Sequence, residues 1–216
     1  MRLSILSCVM AKFPKETELN DIVRIMRTSQ RLRALCENYQ KHNDVGNKAK
    51  KDKIKKWMIP AFIPSALLFD GKAQRNIVGL TNLCYMDIDH IDESQINETL
   101  EILKQDEHVV LALHSMSGKG LHFLVKYEFK GMEQPQITTM SYKRMVVTYT
   151  AVFNTLSLHY QNILNLPIDE SCKNAVQTCN ISYDEDLYYN PNALPYTLIY
   201  EYQKVGKKHQ LLQMVK

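Results

Sequence analysis

Two carboxylates one residue apart offer the first chemistry in this chain. They close the stretch Leu80-Thr-Asn-Leu-Cys-Tyr-Met-Asp-Ile-Asp-His90, whose apolar, β-prone residues read as a strand. Side chains alternate between the faces of a strand, so Asp87 and Asp89 share a side with Tyr85 while Cys84, Met86 and Ile88 bury the other. Neighbouring carboxylates repel, and each raises the other's proton affinity. A hard divalent cation relieves that repulsion because it takes oxygen ligands. An ordinary strand running into an acidic loop explains the motif as well, since Asp92 and Glu93 follow at once.

A second group of candidates lies in Ser115-Met-Ser-Gly-Lys-Gly-Leu-His122. Gly118 and Gly120 allow close approach of the backbone to a ligand. Backbone N–H groups at such a turn can face a phosphate, and Ser115, Ser117, Lys119 and His122 add donors and positive charge. The spacing is not that of a Walker loop. A Ser/Gly hairpin with a surface lysine is the plain alternative. The third group is Lys48, Lys50, Lys51, Lys53, Lys55 and Lys56, six lysines in nine residues. Clustered lysines bind a nucleic-acid backbone largely by counterion release, although a solvated helix end has the same composition.

The elements that must position these residues follow from periodicity. Residues 3–10 read as a strand. A helical pattern runs from Thr17 to about Tyr39 with one break, placing Leu19, Ile22, Val23, Met26, Leu32 and Leu35 on one side. The lysine-rich stretch reads as a short helix ending near Met58, and Ile59–Pro64 must be extended because of its prolines. After the acidic strand comes a helix from Glu93 or Ser94 to Gln105. A strand over Val109–Met116, a turn, and a strand over Leu121–Tyr127 make a hairpin. Residues 141–164 form a long helix with a core stripe, and Ala175–Tyr183 a short strand. One crossover helix makes the acidic strand and Val109–Met116 parallel. As neighbours they put both motifs at one carboxyl-terminal sheet edge, where such sheets bind ligands. Acids for a metal beside donors for phosphates equip a nucleoside triphosphate site for phosphoryl or nucleotidyl transfer.

Composition sets the frame. The chain has 216 residues, 45% hydrophobic and 23% charged, with a net charge of +4, as in ordinary globular domains. Five cysteines without a C-x-x-C pair fit neither a disulfide framework nor a zinc site. No apolar run approaches the ~20 residues that span a bilayer. Met1–Ala11 reads as a first strand rather than a signal peptide. A cytoplasmic protein without a membrane partner is expected.

The ordered set Asp87-Ile-Asp89, Ser115-x-Ser-Gly-Lys-Gly-Leu-His122, then Asp169 followed by Cys179-Asn-Ile-Ser-Tyr-Asp-Glu-Asp-Leu-Tyr-Tyr-Asn-Pro191, resembles the VirE N-terminal domain family. That family is a branch of the archaeo-eukaryotic primase (primase–polymerase) superfamily. Lys56-Trp-Met-Ile-Pro-Ala-Phe-Ile-Pro64 fits the same pattern, so the resemblance covers roughly residues 50 to 195. It implies a single α+β domain over 1–216. An N-terminal α/β unit occupies 1–75, an RRM-like primase–polymerase catalytic sheet flanked by helices 76–195, and a tail 196–216. It implies Mg²⁺ or Mn²⁺ held by Asp87, Asp89 and Asp169, with Asp184 the rival third acid, and phosphates contacted by His122. Gln177 stands where relatives carry arginine, and glutamine cannot replace that charge.

The resemblance thus implies a nucleotidyltransferase domain using a nucleoside triphosphate on a DNA template, single-stranded where it is read. It would serve replication of a mobile element, with a helicase as partner or fused domain. A catalytically inactive module that binds nucleotides and nucleic acid, and a metal-dependent phosphodiesterase, are the competing expectations.

Overall fold

The computed structural model of the chain describes residues 1–130 and 140–199 and the backbone of two short paired strands, Tyr202–Val205 and Lys208–Leu211. Of the expected tail, residues 200–201, 206–207 and 212–216 lie outside the described residues. The fold is mixed α+β, with several antiparallel sheets and, among the described residues, five α-helices. No helix among the described residues is long and apolar enough to cross a membrane.

The N-terminal half contributes three strands to the first sheet. Strand β1 (Arg2–Leu6) pairs antiparallel with β2 (Lys15–Glu18) on one side and β3 (Ala61–Ile63) on the other. The first helix, α1 (Leu19–Thr28), buries Leu19, Ile22, Val23 and Met26, the spacing of a single helical face. Ser29 breaks the helical run: its hydroxyl accepts from Leu32 N (3.2 Å) and caps α2 (Gln30–Asp44). The lysines occupy α3 (Lys48–Lys53) and a π-helical turn, Ile54–Met58. Strand β4 (Ala66–Leu68) then pairs with β5 (Ile77–Leu80) around a turn in which Asp70 has φ +56°.

The second sheet carries the motifs. It contains β6 (Leu83–Ile88), β7 (Val109–His114) and β8 (Leu121–Lys130), with α4 (Glu93–Gln105) between β6 and β7. Strands β6 and β7 both pair antiparallel with β8, one on each side. They are thus parallel to each other, as expected, but not neighbours: β8 lies between them. The reason is the tight hairpin. Once β7 turns directly into β8, the vacant edge of β8 is the place for β6, the arrangement of a split β-α-β unit. The amino-terminal end of β8 therefore meets the carboxyl-terminal ends of both partners, pairing Asp87 and Leu113 with His122.

The last helix, α5 (Tyr142–Leu164), covers this sheet and buries Tyr149, Val152, Phe153, Leu156 and Tyr160. Each such side chain contributes about 1.5–3 kcal/mol relative to an exposed position. Tyr149 also joins three segments: its hydroxyl accepts from Ser65 Oγ (2.7 Å) and Tyr85 N (3.4 Å) and donates to Cys172 O (3.1 Å). The expected strand over 175–183 shrinks to β9 (Cys179–Asn180), which adds to β3 and so links the two halves. Strand β10 (Tyr188–Tyr189) borders β7, and β11 (Tyr196–Ile199) pairs in parallel with the far end of β8.

Candidate functional site

The chain leaves the sheet between the two acids: β6 ends at Ile88, and His90 turns the chain away in the left-handed conformation (φ +58°). Asp87 is therefore held within β6, while Asp89 stands exposed beyond its end. Asp169 comes from the connection after α5, where its backbone N–H donates to Asp87 O (2.8 Å). That bond brings the third carboxylate to the first two: one oxygen from each of Asp87, Asp89 and Asp169 lies within 4.8 Å of the others. Ser171 steadies Asp169 through its N–H (2.9 Å) and hydroxyl (2.5 Å), and the Gln177 amide donates to that hydroxyl oxygen (3.1 Å).

The three acids open into a cavity of about 380 Å³. Its walls also include Lys55, Lys56, Tyr85, Ser115, Ser117 and His122, with Gln177 and Asn180 on the β9 side. Burial, reinforced by the charges of Asp89 and Asp169, pushes the Asp87 carboxyl up to about 7, against the pull of Lys55. Burial, with Lys55 in the same sense, pulls the His122 imidazole down to about 4. His122 Nε2 lies 3.4 Å from Asp87 Oδ1, but the alignment falls short of a hydrogen bond, and that buried oxygen has no hydrogen-bond partner. On its other side, His122 Nδ1 sits 3.4 Å from Cys179 Sγ. A neutral imidazole between a thiol and a carboxylate can donate from Nε2, the nitrogen facing the acids.

A divalent cation fits this donor set. Three carboxylates meet, one of them contributes a buried oxygen lacking a partner, and their mutual repulsion is what a hard cation removes. Asp184 is placed elsewhere. Its carboxylate accepts from His114 N (3.0 Å) and lies 3.1 Å from His114 Nδ1. Burial works to raise the Asp184 carboxyl, but the bonds from His114 overcome it and hold it below the usual range.

The glycine-rich turn contributes less than its sequence promises. Ser115 and Ser117 reach the cavity, while Gly118 and Lys119 border a separate recess with His90, Asp92 and Glu93. The turn uses backbone donors on itself: Gly118 N donates to Ser115 O and Ser115 N to Gly120 O, each at 2.9 Å. Gly120 is needed for packing, since a Cβ there would lie 2.4 Å from Ile88 O. Among the lysines, Lys55 and Lys56 line the cavity. Lys51 is tied to Asn43 (3.1 Å) and lies over the Tyr39 ring, and Lys48, Lys50 and Lys53 are exposed on α3. Tyr85 shares the face of β6 with Asp87, as its spacing predicts. Tyr39, Cys179 and Asn180 were not distinguishable in sequence: Tyr39 reaches the cavity from α2, and the β3–β9 pairing brings in Cys179 and Asn180.

Fold and site together define a mixed α+β domain with a three-carboxylate cavity at the edge of a split sheet. The chain belongs to the BT4734-like, N-terminal domain family, which matches residues 53–189. That range holds Lys55, the three acids, Ser115, Ser117, His122, Gln177 and Asn180. This membership corrects the resemblance to the VirE N-terminal domain family. Strings such as Asp-Ile-Asp and Ser-Gly-Lys-Gly-Leu-His are short, and the order of short motifs does not determine family. No curated protein and no solved structure matches the chain.

Proposed function

We propose that this domain is a metal-dependent nucleotidyltransferase that acts on a DNA template. The observation that carries the reading is the convergence of Asp87, Asp89 and Asp169 within 4.8 Å, in a cavity that also holds Lys55 and His122. Bound by these carboxylates, Mg²⁺ or Mn²⁺ would supply Lewis-acid stabilisation of charge on a transferring phosphate. The chain's own residues do the rest. Lys55 and the hydroxyls of Ser115 and Ser117 bind phosphate oxygens of a nucleoside triphosphate, and His122 donates to them from Nε2. The lysines of α3 hold the template backbone.

The order β6-β8-β7, with α4 crossing between the outer strands, supports reading the sheet as the RRM-like catalytic sheet of a primase–polymerase. A helicase, as partner or fused domain, would deliver single-stranded template in the cytoplasm, in keeping with replication of a mobile element. A second reading, binding without turnover, draws on Gln177, a neutral side chain on the cavity wall.

Incubation with labelled nucleotides, Mn²⁺ and primed or unprimed single strands tests the proposal. Extension or new synthesis by the wild-type chain, lost in Asp87→Ala/Asp89→Ala, supports it. Shortened strands instead identify a phosphodiesterase, and strands bound without change identify a binding module.

A further inference from the structure

The turn that carries Lys55 into the carboxylate cavity also holds the chain's one tryptophan on the surface. Ile59 N donates to Ile54 O at 3.2 Å, the i to i+5 bond of a π-turn. Such turns insert an extra residue into a helix and recur at functional sites. This one is anchored at its carbonyls: Lys55 O accepts from Asn180 Nδ2 (3.0 Å) and Lys56 O from Met10 N (3.2 Å). Lys55, Lys56 and Trp57 are left exposed, Trp57 to 59%. Trp57, Lys53, Lys56 and Ala49 line a shallow recess of about 510 Å³. Asp52 and Lys56 border both this recess and the carboxylate cavity, so the two are contiguous.

Charge and shape favour one occupant. Lys48, Lys50, Lys53 and Lys55 have no carboxylate partner among the described residues, whereas Lys56 pairs with Asp52 at 3.3 Å. An exposed aromatic ring beside Lys53 and Lys56, with further lysines along α3, is the equipment for single-stranded nucleic acid: phosphates meet the lysines while a base stacks on the ring. In a duplex the faces of the bases are already stacked.

We propose that Trp57 and its surrounding lysines form a stacking platform that guides single-stranded DNA into the carboxylate cavity. The direction of travel rests on reading that cavity as the nucleotide site; the platform itself does not.

The test uses the full chain and a fluorescein-labelled oligothymidylate, about 20 nucleotides long, in EDTA. Quenching of Trp57 emission on binding is expected, with no other tryptophan to obscure it. Trp57→Ala should weaken binding about tenfold and Trp57→Phe should restore most of it. Lys53→Gln should lower the slope of log affinity against log salt by about 0.7. Unchanged emission, wild-type affinity in Trp57→Ala, or tighter binding of a duplex of equal length would overturn the platform. Mn²⁺ titration of the wild type and of Trp57→Ala separates the two readings. Quenching without Mn²⁺ binding keeps the platform and removes the carboxylate site; Mn²⁺ binding without quenching does the reverse.

Discussion

Replacing Asp87 by asparagine keeps the shape of the side chain and removes its charge. Without a cation, the ionised Asp87 carboxylate is buried beside two others and costs the fold free energy. The rise from the ordinary value of 3.8 to about 7 corresponds, at about 1.4 kcal/mol per pH unit, to about 4 kcal/mol. Local relaxation and water entry reduce this, so about 2–4 kcal/mol is expected. The sign follows from proton binding. The folded chain holds the Asp87 proton more tightly than the unfolded chain, so stability falls as pH climbs from about 4 to about 7 and the full cost stands above that. Asp87→Asn has no such loss. In EDTA at pH 8 it should be the more stable protein by about 2–4 kcal/mol. That raises Tm by about 4–16 °C, since 1 kcal/mol moves Tm by about 2–4 °C at this chain length. At pH 4 the two should agree. His122, pulled down to about 4, costs stability as pH falls below 6.5, but it is present in both chains and drops out of the difference. Urea unfolding from pH 4 to pH 8 measures this directly. An Asp87→Asn protein less stable at pH 8, or a difference that does not change with pH, would refute the reasoning.

Gly120→Ala drives a Cβ to within 2.4 Å of Ile88 O. It should cost about 1–3 kcal/mol in urea unfolding and weaken Mn²⁺ binding in calorimetry, because Ile88 sits between two of the acids. Asp184→Ala strips the acceptor from His114 N and should cost about 1–3 kcal/mol with Mn²⁺ affinity unchanged. Asp169→Ala should abolish saturable Mn²⁺ binding, because it removes one of the three carboxylates that meet. Tyr149→Phe removes the hydroxyl shared by Ser65, Tyr85 and Cys172 and should cost about 1–3 kcal/mol, seen as a lower midpoint in urea.

Long elements with a clear period were legible from the chain alone. The faces of α1, α4 and α5, the extended run before Pro64, and the hairpin of β7 and β8 all follow from spacing. Two-residue strands were not: β9 and β10 exist only because neighbours complete them, and no periodicity survives over two positions. The strand order escaped for a related reason. Handedness rules make β6 and β7 parallel but leave open whether β8 comes between them, and that choice sets Asp87 against His122. The carboxylate pair was visible as a strand-end motif. The place of Asp169 depended on one backbone bond to Asp87 O across 82 positions of chain (169 − 87). Gly120 appeared in sequence as a ligand-facing glycine, yet its close approach is to Ile88 O. Lys55 could not be told from its five neighbours until the π-turn and Asn180 fixed where it stands.

A Mn²⁺ titration of the full chain, followed by the loss of the free-ion electron paramagnetic resonance signal, tests the carboxylate site most directly. Saturable binding near neutral pH is expected, abolished in Asp87→Asn and Asp169→Asn and retained in Asp184→Asn. Absence of saturable binding in the wild type, or binding that survives loss of Asp87 and Asp169, would contradict the assignment of the three acids as a metal centre.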